Sequence, residues 1–362
     1  MRDKSPSFHF TATGIGSVPF LEVRRTCRRI LEYLPDMPFW PQFVGRSSLE
    51  NMNIQFSEGL PLLDVLEKQR TLCISPSRSM ESELVTFWEH FLSKDLDHFR
   101  ISRDYAPGLY ALLDLATEDS SPKGSYIKGQ TVGPITFSSG VMNRDGKPVL
   151  HHPEIHEALV KGLAIKALWQ VHELGKSGRR VIIFLDEPSL SGFGSAFSPI
   201  QRHEVIDHLR TMMDYLRENA DPLIGIHCCG NTDWSMLLEA GPDIINFDAF
   251  DYMDHFLLYP EEIGNFLKRG GVVAWGIVPT VGFTGSETVE GLFSRLWEGL
   301  ERVHGWGIDP ELLARRSILT PSCGMGTMKP QDADKNLELL TRLTGKCRAP
   351  IGPKPPIRDH GD

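Results

Sequence analysis

Eight stretches of the chain are continuously apolar or β-branched, and each stops at Gly, Pro or a polar residue. They are FTATGIGSVP (10–19), MPFWPQFV (37–44), YIKGQTVGP (126–134), RVIIFLDEP (180–188), PLIGIHCCG (222–230), DIINFDAF (243–250), VVAWGIVPT (272–280) and SILTPSCG (317–324). Runs that are apolar throughout, rather than alternating, predict parallel strands covered on both faces. Between them the apolar period changes to that of a helix. LEVRRTCRRILEYL places Leu21, Cys27, Ile30, Leu31 and Leu34 at helical spacing, and PEIHEALVKGLAIKALWQVHELGKSG, SPIQRHEVIDHLRTMMDYLREN and SETVEGLFSRLWEGLERVHGWG follow the same rule. Ser198-Pro199 and Ser286 fit helix starts, and Gly-containing segments fit the stops. Alternating strands and helices predict an α/β fold, and about eight strands is the number of a closed (β/α)8 TIM barrel.

One connection breaks the rhythm. Between Val44 and Tyr126 lie roughly eighty residues, far more than a βα connection needs, and SMESELVTFWEHFLSKDLDHF within it has a helical pattern. The expected organisation is a single TIM-barrel domain over residues 1–350. An extended insertion between the second and third strands, about 45–124, lies over the barrel mouth. A Pro-rich tail, 351–362, is expected to be extended and loosely held.

Composition narrows the function classes. The chain has 362 residues, 41% hydrophobic and 23% charged, the balance of a soluble globular protein. A formal net charge of −9 argues against nucleic acid or an anionic membrane surface as the main partner. The most apolar stretch, GGVVAWGIVPTVGF, is too short to span a bilayer, and MRDKSPSFHF has no secretory pattern, so a cytoplasmic location is expected. The six cysteines (27, 73, 228, 229, 323 and 347) are scattered, unlike a disulfide framework. In a reducing compartment they are buried hydrophobes, metal ligands or reactive thiols.

PLIGIHCCGNTDW concentrates that question. Alternation along a strand sends His227 and Cys229 to one side and Cys228 to the other. Imidazole and thiolate together suit zinc. In a barrel the strand ends meet at one face, which brings Cys323 of LTPSCGMGT and Asp248 of INFDAF into range as further ligands. The competing reading is packing, the ordinary fate of a buried Cys. Cys27, Cys73 and Cys347 read as structural, and the His-rich HHPEIHE (151–157) as a solvated helix cap. In FLDEPSL, adjacent Asp186 and Glu187 face opposite ways. Asp186 is expected to point into the mouth toward a cationic substrate group, and Glu187 to form a structural salt bridge. Ser17 in GIGSVP and Gln130 in GQTVGP are candidate substrate contacts, with simple tight turns as the alternative.

In this order, GIGSVP, GQTVGPIT, LDEPSL, IHCCGN, INFDAF and LTPSCGMGT resemble the catalytic domain of the cobalamin-independent methionine synthase family, within the wider uroporphyrinogen decarboxylase/methionine synthase-like superfamily. The resemblance implies a TIM barrel with Zn2+ at its mouth, held by His227, Cys229 and Cys323. Asp248 stands where the synthase has a Glu ligand, Ser17 matches a substrate-contacting Ser, and Asp186 matches the Asp that holds the substrate amino group. The departures concern the methyl donor and the amine clamp. GPITFSSG lacks the family's Trp, Ile277 falls where a protonating His is found, and only Gln55 and Glu58 lie near the position of an amine-clamping Glu.

The expected activity is zinc-dependent methyl transfer to a small-molecule, homocysteine-like thiol, as in methionine biosynthesis. Asp186 and Ser17 orient the acceptor, and the expected donor is a methylcorrinoid protein or another methyl carrier, with methyl-folate the less favoured. The alternatives are a metal-free uroporphyrinogen decarboxylase-like lyase and a non-catalytic corrinoid- or thiol-binding protein.

Overall fold

A computed structural model of the protein describes residues 6–118, 124–143, 145–193 and 200–349. The Ser198-Pro199 helix start and the 351–362 tail lie outside them. The elements run β1 (Thr11–Ala12), α1 (Val23–Tyr33), β2 (Leu63–Leu66), β3 (Thr71–Ile74), α2 (Met80–Leu92), α3 (Pro107–Glu118), β4 (Tyr126–Val132), α4 (Pro134–Gly140) and β5 (Val141–Met142). They continue with α5 (Pro153–Gly175), β6 (Arg180–Asp186), α6 (Arg202–Asn219), β7 (Leu223–Cys228), α7 (Trp234–Ala240), β8 (Ile244–Phe247), α8 (Met253–Phe256) and α9 (Pro260–Lys268). The last are β9 (Val272–Val278), α10 (Val289–Gly305), α11 (Pro310–Arg315), β10 (Ser317–Pro321) and α12 (Pro330–Arg348).

Seven strands form one parallel sheet in the order β1-β10-β9-β8-β7-β6-β4, the curved sheet of a TIM-like barrel. Its inner strands are buried nearly end to end, as runs without alternation require. Alternation instead sorts their side chains between two apolar clusters. Along β6, Val181, Ile183 and Leu185 pack in the large cluster with the helices. Ile182 and Phe184 belong to a smaller one with Phe8, Met37, Leu223, Ile244 and Ile318. Asp186 is in phase with Ile182 and Phe184, so it ends the inner row. A Cβ at Gly225 would lie 2.4 Å from Phe184, so that ring fits only beside a glycine.

The first two apolar runs are less regular than expected. β1 is two residues long and is followed by Gly14, Gly16 and Pro19. The run 37–44 contains no regular strand, because Pro38 and Pro41 have no N–H to give to a ladder. It is nevertheless hydrogen-bonded on both sides. Tyr126 N donates to Asp36 O (3.2 Å), Lys128 N to Pro38 O (2.8 Å) and Trp40 N to Lys128 O (3.3 Å). On the other side, Val18 N donates to Gln42 O (2.9 Å) and Gln42 N to Gly16 O (3.0 Å).

The long connection after Val44 folds into β2, β3, α2 and α3. β2 and β3 form an antiparallel hairpin, and β3 pairs with β5 as a parallel edge. α3 packs on α1, and α2 on α5. At α10 the cap is Thr288, whose Oγ1 accepts from Gly291 N (3.1 Å), rather than Ser286, whose hydroxyl pairs with Thr284 Oγ1 (2.6 Å). Among the described residues no helix is long and apolar enough to cross a membrane.

Candidate metal centre

His227 is the last inward residue of β7, in register with Asp186 of β6 on one side and Asn246 of β8 on the other. Cys228 takes the opposite face, as alternation predicts. It is fully buried beside Gly230 O (3.6 Å), and burial pushes its thiol up to about 12. Cys229 follows just beyond the strand, and Cys323 lies two residues past the end of β10. One potential ligand atom from each of His227, Cys229 and Cys323 lies within 4.8 Å of the other two, the only such group of three or more among the described residues. β8 and β9 separate β7 from β10, so the three side chains meet only because the sheet curves.

The chemistry of this trio fits a metal ion. His227 is buried with Cys229 and Asn246 beside its ring, yet neither ring nitrogen makes a hydrogen bond of good geometry, a costly state unless something else satisfies it. The hydrogen bond from Cys323 draws the Cys229 thiol down to about 4 against the opposing effect of burial, with His227 adding to the pull. The same bond, followed by burial, pushes Cys323 up. A nitrogen and two sulfurs suit Zn2+ and leave a tetrahedral site open at one position.

Asp248 is not part of the trio. Its Oδ1 accepts from Phe250 N and Asp251 N, both at 2.9 Å, and burial pushes its carboxyl up to about 6. Asp186 lines a cavity of about 540 Å³ together with Ser17, His227, Cys229 and Cys323. Its Oδ1 is buried without a partner, and burial pushes the carboxyl up to about 6, opposed by His227 and Lys128. Lys128 is itself fully buried. Its Nζ donates to Ile15 O (2.6 Å) and Gln130 Oε1 (3.3 Å), and burial draws it down to about 8. Ser17 Oγ accepts from Gly326 N at 3.2 Å, tying the loop after β1 to the loop that carries Cys323.

Other expected residues serve the scaffold. Gln130 does not line the cavity: Oε1 accepts from Lys128, and Nε2 donates to Trp40 O (3.1 Å), holding segment 36–42 against β4. Among the described residues Glu187 forms no salt bridge. Its carboxylate accepts from Ile135 N (2.9 Å), Thr136 N (2.8 Å) and Thr136 Oγ1 (2.6 Å), capping α4. Gln55 bridges Gln42 Nε2 and Tyr105 O, and Glu58 accepts from Ser102 N. Ile277 is fully buried, and Thr280 and Val281 line the cavity from that strand's loop. His156 is not a solvated cap. It is buried, with Nδ1 2.7 Å from Ser138 Oγ and its ring edge-on to His208, and burial draws it down to about 3.

The cavity also takes residues from the long connection: Asn51, Met52 and Arg70. Nothing in their local sequence marks them. Arg70 follows a hairpin turn that could only be placed over the site once the fold was known.

No protein-family model and no curated protein matches this chain. Among solved structures it is similar to a B12-independent methionine synthase from Shewanella sp. W3-18-1 in complex with selenomethionine. The identity is 16% and the TM-score 0.59, over 94% of this chain and 98% of that one. That likeness shows a shared fold. A GH113 β-mannanase from Alicyclobacillus acidocaldarius (12% identity, TM-score 0.36, 66% of this chain and 78% of that one) and a 3-keto-D-glucoside 4-epimerase from E. coli (13%, 0.36, 65% and 84%) align more loosely.

Proposed function

We propose that this protein is a zinc-dependent methyltransferase that transfers a methyl group to a small-molecule thiol, in the manner of methionine synthase. The observation that carries the reading is the trio of His227, Cys229 and Cys323 around two buried, unpartnered imidazole nitrogens. The reading takes the sheet as a closed (β/α)8 barrel with segment 36–42 as its second strand, supported by that segment's backbone bonds to both neighbours. It treats residues 1–350 as one domain, with the stretch 45–124 as an insertion that contributes to the mouth.

His227, Cys229 and Cys323 would hold Zn2+; Asp248, which lies outside the trio, is kept as a fourth candidate. Bound there, the ion supplies a Lewis acid that favours the thiolate form of a coordinated acceptor, whose free thiol has a pKa of about 8.5. The unpartnered Oδ1 of Asp186 is available to an ammonium group of the acceptor, and Ser17 lines the same cavity. The acceptor sulfur attacks the methyl carbon, a C–S bond forms, and the bond from methyl to its carrier breaks with its electron pair leaving on the carrier. Ile277 offers no acid to protonate that carrier. This favours a methylcorrinoid protein, whose leaving group needs no proton, over methyl-folate.

Metal analysis of protein purified without added zinc tests the proposal. About one zinc per chain is expected, falling sharply in Cys323→Ser. Less than about half an equivalent, unchanged by that substitution, would sink it. Methyl transfer from methylcobalamin to a panel of thiols, abolished by chelation, is the companion assay. Turnover that survives chelation would point to metal-free chemistry.

A further inference from the structure

We infer that the stacked imidazoles of His90 and His98 form a pH-sensitive clamp, which fastens the stretch 51–60 of the long connection and releases it in acid. The inference does not depend on what the cavity binds. The stretch begins at Asn51 and Met52, both in the cavity wall, and runs away from it. Three bonds tie it to residues 98–105. Gln55 Nε2 donates to Tyr105 O (2.6 Å), Ser102 N donates to Glu58 Oε2 (2.8 Å), and His98 Nε2 lies 3.2 Å from Gly59 O. A carbonyl only accepts, so Nε2 of His98 carries its hydrogen there.

The ring that makes the last of these bonds is held by a second ring. His90, in the last turn of α2, stacks on His98 with centroids 3.8 Å apart and planes 8° from parallel. Asp95 fixes both partners. Its Oδ2 accepts from His90 Nδ1 (2.9 Å) and its Oδ1 from His98 N (3.2 Å). Two neutral imidazoles can lie this close, whereas two imidazolium ions at the same distance repel. Asp95 offsets one positive charge, not two. From α5, Lys166 adds to the repulsion, with its Nζ bonded to Phe99 O and Arg100 O beside His98, and Glu58 acts on Lys166 in turn. Lys94 is turned away to Asn219 of α6. Burial, then His90, holds His98 below its ordinary 6.5, with the Gly59 bond and Asp95 opposing. Opening the clamp restores the ordinary value, so below pH 6.5 opening takes up a proton. The closed form therefore keeps its full advantage above 6.5 and loses it as the pH falls toward the lowered value.

Hydrogen exchange in the full chain tests this, read on peptides covering 51–60 and 95–105 and corrected for the intrinsic rate at each pH. His98→Asn keeps an N–H for Gly59 O but cannot titrate. Lys166, at about 7, titrates in every variant and cancels in the comparison. Between pH 7.5 and pH 5.5 the opening constant of wild type should rise by about fivefold more than that of His98→Asn, within the tenfold per pH unit that one proton allows. His90→Phe keeps a ring in the stack without its charge, and its rise should fall between the two. Equal rises in wild type and His98→Asn overturn the inference. If His98→Asn is already open at pH 7.5, His90→Phe decides, and a rise equal to that of wild type overturns it.

Discussion

A Cβ added to Gly324 would lie 2.2 Å from Ser17 Oγ and 3.4 Å from Ser17 Cβ. The residue after Cys323 is thus glycine because the loop after β1 packs directly on it, and Ser17 Oγ must stay where Gly326 N reaches it. Gly324→Ala should push that hydroxyl aside, break the bond and cost about 1–2 kcal/mol. In Ser17→Ala/Gly324→Ala the offending oxygen is gone and the remaining carbons meet at ordinary contact distance, so the double should be no less stable than Ser17→Ala alone. Urea unfolding of both singles and the double measures the coupling. Simple additivity of the two losses would show that the contact is not the cause. His227, Cys229 and Cys323 were legible in the sequence because strand alternation and barrel geometry both constrain them. Gln130 and Glu187 were misassigned, because a polar residue at a strand end looks the same whether it meets a ligand or a neighbouring backbone.

At the scale of elements, Lys166 joins α5 to the long connection. It is fully buried, and its Nζ donates to Phe99 O (3.1 Å) and Arg100 O (3.4 Å). Burial draws it from 10.5 down to about 7, with Glu58 opposing. Between those values the unfolded chain holds the proton and the folded chain does not. Unfolding then takes up a proton, and stability rises with pH across that window. Relative to Lys166→Met, which cannot titrate, wild type should gain in urea midpoint between pH 7 and pH 9. Parallel profiles would show that Lys166 keeps its charge when buried. The sequence could not reveal this staple, since α5 is apolar on nearly every face and Lys166 reads as one exposed position among several. The main elements were legible where the apolar period was sustained, as in β6, β7, β9, α5 and α10. They were not where prolines interrupted segment 36–42, nor in α12, whose amphipathic pattern is diluted by QDADKN at its start.

For the molecule as a whole, the position of the trio matters more than its composition. Its residues come from β7 and from the loops after β7 and β10, strands with two others between them, and the loop after β10 is tied to the loop after β1 by Met325 N donating to Ser17 O (2.9 Å). An ion held there would tie together strands far apart in sequence and satisfy one of the two unpaired His227 nitrogens. Because the unfolded chain has no assembled site, ion binding adds to folding stability by mass action, about 2.7 kcal/mol at a hundredfold excess over Kd. In a domain of this size that corresponds to a rise in Tm on the order of 5 °C. Stripping zinc from wild type should therefore lower Tm by that amount, and readdition should restore it. Cys323→Ser should melt at one temperature with or without zinc. Cys347→Ser, whose thiol lies on α12 outside the trio, should retain the full zinc-dependent rise. If Cys323→Ser responds to zinc as wild type does, the ion stabilises the protein from somewhere else, and the barrel mouth loses its claim to be the metal centre.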